Sequence, residues 1–236
     1  MKKLFFVLIL SGTLITSLSA EAREKPADAR RYCESIAPDP EITFTTSYGK
    51  LVYDFSLSKS ELSEIAQKAG IFEKGVFAAG LALVNINSEY ELSTTTKVMW
   101  NNDRCLIPTN LNVYIGFSKP VIYMAKELQP ATCTYNLVLR HEQVHQQINK
   151  QALEYFIPII RRELTERVKQ IHPIHVGKMA SEDKASQALT TRYYETISPL
   201  VNRLRDEILA EQHKLDSSSN YKMEGNICRS FNRKPH

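Results

Sequence analysis

Two histidines four residues apart, His141 and His145, enclose a glutamate in the sequence His-Glu-Gln-Val-His. On a helix, positions i and i+4 lie on one face, so both imidazoles can reach one zinc ion. Glu142 then lies where it can take a proton from a zinc-bound water, the chemistry that hydrolyses peptide bonds. The motif therefore predicts zinc as the cofactor and Glu142 as the catalytic base. The alternative is an amphipathic helix with two exposed histidines.

A third zinc ligand has to come from elsewhere, because catalytic zinc ordinarily takes three protein ligands. Position 151 is glutamine, so the third histidine of the metzincin pattern is absent. If two long helices form an antiparallel hairpin that turns near Val176, the segment opposite the motif lies near Leu209. The side chains brought into reach are Glu207, Glu211, His213, Asp216 and Glu224.

The first residues have the pattern of a secretory signal peptide. Basic Lys2 and Lys3 precede an apolar run from Leu4 to Ile15, and Ala20-Glu21-Ala22 forms a small-residue cleavage site. We expect residues 1–22 to be the signal peptide and residues 23–236 to form a single domain. This predicts a periplasmic or secreted protein with no stable membrane insertion after cleavage.

The composition limits the partners. The formal net charge is only +4 and is spread along the chain, which does not predict a nucleic-acid partner. The predicted partner is a peptide or protein substrate. Four cysteines in an exported chain predict two disulfides. Of three possible pairings we favour Cys105–Cys133, just before the motif, and Cys33–Cys228, which ties the two ends together.

The fold class predicted from periodicity is α+β. Residues 40–125 are rich in β-formers and predict a mainly antiparallel sheet with one short helix, which Ser58 caps and Gly70 ends. The predicted strands are Ile42–Phe55, a hairpin of Ala79–Asn87 and Glu91–Trp100, and Leu111–Phe117 with Val121–Met124.

The second half of the chain changes to helical periodicity. Over residues 134–215 the apolar positions recur at spacings of three and four, which predicts a long helical hairpin carrying the H-E-x-x-H motif. Pro158 is expected to kink or break the first helix. The second helix is expected from Ser181 to Lys214, with a possible interruption near Pro199, and residues 216–236 form a tail.

The segment from Tyr48 to Arg229 resembles a bacterial family of uncharacterised, predicted secreted zinc-dependent proteases. The resemblance rests on Lys59–Gly70 in the sheet-rich half, Arg104-Cys105-Leu106 before a strand, and Leu139–His145 around the motif. It implies a zincin-like fold and an exported zinc metallopeptidase.

The resemblance also implies a third ligand. Family members end in Tyr-Asp and a later Thr-x-His-Gly, whereas this chain has Leu215-Asp216 and then Glu224-Gly225; Val144 replaces a frequent glycine. Glu224 thus stands at the family's histidine position and becomes the implied third ligand, as in other His₂Glu sites. Glu207, Glu211 and His213 remain alternatives.

A second functional class stays open. The chain could be a non-catalytic exported binding protein with a structural or vestigial metal site. The missing family histidine favours this interpretation. The intact Glu142 opposes it, because a purely structural zinc site needs no acid–base glutamate.

Overall fold

A computed structural model describes residues 28–71 and 77–231, and the predicted signal peptide lies outside this part of the chain. The described residues form an α+β fold of five helices and a five-stranded sheet. The helices are α1 (Ala29–Ile36), α2 (Lys59–Lys68), α3 (Cys133–Val168), α4 (Glu182–Leu215) and α5 (Ser218–Phe231). The strands are β1 (Glu41–Ser47), β2 (Val52–Asp54), β3 (Gly80–Val98), β4 (Arg104–Met124) and β5 (Ile174–Val176).

The long strand β4 organises the sheet, because each of the other four strands pairs with it. β3 runs antiparallel along almost its whole length. The opposite edge of β4 carries three short strands in succession: β5 antiparallel, then β1 and β2 parallel. The prediction of a mainly antiparallel sheet is therefore confirmed only in part: the sheet is mixed, with two strands antiparallel to β4 and two parallel to it. Parallel pairing requires long connections, and β2, α2 and β3 supply them between β1 and β4.

The predicted hairpin around Asn87–Tyr90 is also wrong, because β3 passes straight through this segment. Asn87 pairs with Gly116 and Tyr90 with Val113 in an unbroken ladder. The four residues contain neither glycine nor proline, so nothing in them favours a turn over extended backbone. The chain reverses later, at Asn102, whose φ of 62° lies in the left-handed region.

The short helix α2 forms as predicted. The Ser58 hydroxyl accepts from the Glu61 backbone N–H, and the Glu61 carboxylate accepts from the Ser58 N–H, which completes a capping box. Gly70 follows the helix with φ +70° and ends it. Leu62 and Ala66 then pack against the start of β3 in a small core.

The main core lies between the sheet and the hairpin of α3 and α4. Alternate residues of β4 point into it, because successive side chains of a strand face opposite sides. They meet apolar stripes from both long helices in one continuous cluster, which includes Leu111, Val113, Ile115, Phe117, Leu153, Ile160, Leu164, Leu189, Leu200 and Leu204. The hairpin is thus held on the sheet along most of its length.

Proline interrupts neither long helix. α3 runs for 36 residues through Pro158, and α4 for 34 residues through Pro199, so the expected breaks are absent. A proline removes one N–H from the helix ladder. Around Pro158 this loss is offset by Leu153 and Ile160, which are fully buried in the main core on either side of it.

The four cysteines form two disulfides, Cys33–Cys105 and Cys133–Cys228. The favoured pairing of Cys105 with Cys133 and of Cys33 with Cys228 is wrong. Helix α1 packs on the start of β4, which brings Cys33 to Cys105 in a small buried cluster. The tail is helical rather than irregular, and α5 returns to the beginning of α3, where Cys228 meets Cys133. No helix among the described residues is long and apolar enough to cross a membrane.

Candidate metal centre

A polar stripe runs along the buried face of α3. His141, His145 and Asn149 follow one another at intervals of four residues, and Glu142 lies beside the first. All four side chains are buried, with between 3% and 8% of each residue exposed. Burying so many polar groups is unfavourable unless each finds a partner. The partners of the two histidines and of Asn149 come from the end of α4, the residue after it and α5, at the open end of the helical hairpin.

Three ligand atoms from these elements converge on one point. The Nε2 atoms of His141 and His145 lie 3.1 Å apart. Each is also 3.1 Å from Oδ1 of Asp216, which directly follows α4. Of the groupings in the described residues, this one brings two imidazoles and a carboxylate together with all ligand atoms within 4.8 Å of one another. A metal ion can therefore bind here.

The triangle has the dimensions that a small divalent ion needs. Ligand atoms about 2.0–2.2 Å from a tetrahedral ion lie about 3.3–3.6 Å from each other. The observed separations of 3.1 Å are within a few tenths of an ångström of that range. Two imidazoles and one carboxylate leave a fourth position for a non-protein ligand.

Glu224 lies on the other side of His141. Its Oε2 is 3.1 Å from the Nδ1 atom of the ring, whereas Asp216 contacts Nε2. The two nitrogens of an imidazole point in different directions, so Glu224 does not share the face on which the three ligand atoms meet. The structure thus brings Asp216, rather than the predicted Glu224, to within 3.1 Å of the Nε2 atoms of both histidines.

His145 has a corresponding outer partner in Gln212. The Gln212 Oε1 atom contacts Nδ1 of His145. Its Nε2 donates to the backbone carbonyl of His145 at 3.1 Å and to Oδ1 of Asn149 at 2.8 Å. Gln212 and Asn149 were missed by sequence reasoning. Asn149 could have been found from its i+4 spacing after His145, and Gln212 from its i−4 spacing before Asp216.

The side chain of Glu142, on α3, packs closely against Gly80 at the start of β3. A Cβ atom at Gly80 would lie 2.7 Å from the Cγ atom of Glu142, so only glycine permits this approach. Burial raises the pKa of Glu142 to about 7, although the nearby histidines and a hydrogen bond from the Ala82 backbone oppose the rise. A carboxyl with such a pKa can both accept and donate a proton near neutral pH.

The charges at the centre influence one another. Burial disfavours charge on His141 and His145, yet hydrogen bonds with Asp216 hold the pKa of each ring above its ordinary value. Burial likewise disfavours charge on Asp216, but hydrogen bonds from both histidines and from Tyr221 hold its pKa well below the usual range. In the ion-free centre the two rings and the carboxylate therefore each favour the charged form of the other.

Tyr221 covers the centre from α5. Its ring stacks on that of His141 with centroids 5.1 Å apart, and its hydroxyl donates to Oδ1 of Asp216 at 2.7 Å. Burial and the neighbouring Asp216 carboxylate raise the pKa of this phenol, so it stays a hydrogen-bond donor. The other predicted alternatives, Glu207, Glu211 and His213, are exposed on α4 and take no part.

Comparisons with protein-family models, with curated proteins and with solved structures find no match for this chain. The functional conclusion therefore depends on the chemistry of the centre. Its essential parts are a three-atom metal site, a buried glutamate beside it and a tyrosine hydroxyl above it.

Proposed function

We propose that the protein is an exported, zincin-like, zinc-dependent metallopeptidase. The observation that carries the proposal is the meeting of His141 Nε2, His145 Nε2 and Asp216 Oδ1 in a 3.1 Å triangle, with Glu142 buried next to it. Two disulfides are consistent with an oxidising compartment, which supports the periplasm or the exterior as the location. The resemblance of the segment around the motif to secreted proteases supports the same class.

Zinc is the ion that best suits these ligands. Imidazole nitrogens together with one carboxylate oxygen are typical of catalytic zinc sites, which keep a fourth position open. Magnesium and calcium prefer oxygen ligands and higher coordination numbers. When bound, zinc supplies a Lewis acid that polarises a carbonyl and lowers the pKa of water toward ~7.

Two residues of the chain supply proton transfer and stabilisation of the oxyanion. Glu142 takes a proton from the attacking water and passes it to the nitrogen of the leaving amine, as its pKa of about 7 allows. The attack forms the new C–O bond, and the C–N bond then breaks. The Tyr221 hydroxyl is the donor at the centre that can stabilise the developing oxyanion.

The test is zinc content together with hydrolysis of a peptide library. We expect about one zinc per wild-type chain and none after His145→Ala. Glu142→Gln should keep zinc and lose at least ~100-fold in kcat, because it removes the proton carrier. Glu154→Gln is the matched control, since it makes the same change at an exposed position of the same helix. Full activity in Glu142→Gln would refute the mechanism.

A non-catalytic exported binding protein remains the second candidate. Coverage of the centre by Tyr221 of α5 favours it, because structural metal sites are closed. Under this alternative, wild type and Glu142→Gln both bind zinc and neither hydrolyses any peptide. A spectrum of the cobalt-substituted protein that does not respond to added small anions would indicate a closed site and favour it.

A further inference from the structure

We propose that Gln212 and Glu224 are positioning residues that hold His145 and His141 in the tautomer whose Nε2 lone pair faces the metal ion. The inference rests on the proposed function in that it assigns these residues to the same centre. In this role the two side chains orient the histidine rings without contacting the metal ion themselves.

The orientation of Gln212 follows from its neighbours. Its Nε2 lies 3.1 Å from the backbone carbonyl oxygen of His145, and a carbonyl oxygen can only accept. The atom at that position must therefore be the amide nitrogen, which also donates to Oδ1 of Asn149. Oε1 is then the atom that faces Nδ1 of His145, and it can only accept. Nδ1 of His145 must carry the hydrogen.

Contact with Glu224 likewise places the hydrogen of the His141 ring on Nδ1. Its carboxylate lies 3.1 Å from Nδ1 of His141 and accepts a hydrogen from it. Asn220 keeps the carboxylate in place by donating to Oε1 at 3.2 Å and to the carbonyl oxygen of Leu215 at 2.8 Å. The position of Glu224 is thus tied to the end of α4, next to the ligand Asp216.

Both rings consequently carry hydrogen on Nδ1, and both neutral forms have their lone pair on Nε2. Those lone pairs and Oδ1 of Asp216 meet at separations of 3.1 Å. Three acceptors at this distance repel one another unless a positive charge lies among them. Outer hydrogen bonds of this kind fix the tautomer and orientation of metal-binding histidines.

The direct test is the ring-nitrogen NMR spectrum of the ion-free protein, at a pH above the pKa of both histidines. We expect the Nδ1–H tautomer at both rings in the wild type. Gln212→Met should convert His145 partly to the Nε2–H form and leave His141 unchanged, and Glu224→Leu should do the reverse. Gln187→Met and Glu211→Leu make the same changes on the exposed face of α4 and should alter neither ring.

Zinc affinity is the second measurement. We expect Gln212→Met and Glu224→Leu each to weaken binding about 10–100-fold. Glu224→Gln and Gln212→Glu retain the acceptor that faces each Nδ1 and should recover most of the Nδ1–H tautomer. Glu224→Gln should also recover most of the affinity, whereas Gln212→Glu loses the amide donor to the His145 carbonyl and to Asn149. Because the conservative variants preserve the shape of the side chain, they still test the proposal if a larger change prevents folding.

The possible outcomes separate this inference from the proposed function. An Nε2–H tautomer at either ring of the wild type would overturn the positioning role. Unchanged tautomers and affinity in Gln212→Met and Glu224→Leu would also overturn it and leave the metal centre intact. A wild-type protein that binds no zinc would refute the proposed function, while the ion-free spectrum would still decide the tautomers.

Discussion

One oxygen of Asp216 contacts both motif histidines and a tyrosine. Oδ1 lies 3.1 Å from each Nε2 atom and accepts from the Tyr221 hydroxyl at 2.7 Å. This single oxygen is thus the common partner of both imidazoles and of the tyrosine hydroxyl. Substitution of Asp216 therefore distinguishes two interpretations of this cluster: a metal centre, or side chains that only hydrogen-bond to one another.

We expect Asp216→Asn to abolish tight zinc binding. The amide keeps the size of the side chain but removes the negative charge and places an N–H or a weaker oxygen at the ligand position. The fall in affinity should exceed the ~10–100-fold that follows from loss of an outer partner. Zinc titration with a competing chelator measures it. Asp206→Asn, at an exposed position of α4, is the control, and equal affinities in the two variants would contradict the assignment.

The stability of the ion-free protein should depend on pH through the same groups. The pKa of Asp216 is lowered from 3.8, so its stabilisation is present above that value and disappears as the pH falls through the folded-state pKa. The pKa of each histidine is raised from 6.5, so its stabilisation is present below that value and disappears as the pH rises through the folded-state pKa. The raised pKa of Glu142 acts in the same direction as the histidines, from 4.5 to about 7.

Thermal unfolding in a chelator should therefore give a Tm that falls as the pH rises from mildly acidic to alkaline. With zinc present the trend should reverse, because protons compete with the ion for the histidines. In His141→Ala/His145→Ala both trends should be much reduced. Equal slopes with and without zinc in the wild type would contradict this prediction.

The local part of the centre could be predicted from sequence, and the distant part could not. His141, Glu142 and His145 follow from helical spacing alone. The antiparallel hairpin predicted from sequence placed Asp216 among five side chains near the motif. Which of the five faces the histidines depends on the rotation of α4 about its axis. That rotation is set by the packing of Leu200, Leu204 and their neighbours on the sheet, which no spacing rule contains.

At the scale of elements, α2, α3 and α4 were predictable because their signals are local, whereas α1 and α5 were not predicted. Ser58, Ser181 and the capping box of α2 mark helix starts within a few residues. Strand partners are not encoded locally. The parallel pairing of β1 and β2 with β4 joins segments about 70 residues apart in sequence. The cysteine pairing was missed for the same reason, since it depends on where α1 and α5 pack.

Helix α5 depends on one covalent link for its position over the centre. It supplies Tyr221 and Glu224, and the Cys133–Cys228 disulfide ties it to the first residue of α3. His141 lies two turns further along α3. The disulfide therefore limits how far α5 can move away from the ring that it covers.

Removing this disulfide with Cys133→Ser/Cys228→Ser should weaken zinc binding about 10-fold or more, since Glu224 loses its hold on His141. The Cys33→Ser/Cys105→Ser variant is the matched control, because it opens a loop of similar length far from the centre. Both variants should lose stability, by about 4–5 kcal/mol on the loop-entropy estimate. Only the first should lose affinity, and equal zinc affinities in the two variants would contradict the role given to α5.

At the scale of the whole molecule, the metal centre lies at the open end of the helical hairpin. The closed end contains β5, which pairs with the start of β4. At the open end, His141 of α3 and Asp216, which directly follows α4, are 75 residues apart in sequence. An ion bound there would join the two arms of the hairpin at the point furthest from their connection, and its binding would then stabilise the fold as well as the site.

Zinc should accordingly raise the Tm of the entire chain. At a free concentration of 100 times Kd, binding to the folded state alone contributes about 2.7 kcal/mol. For a domain of this size that corresponds to a Tm increase of roughly 5–11 °C. Calorimetry with and without chelator measures it. Glu142→Gln should keep the full increase and Asp216→Asn should lose it, because the first residue moves protons and the second holds the ion. A wild-type protein that binds zinc with unchanged Tm would mean that the ion does not connect the two arms.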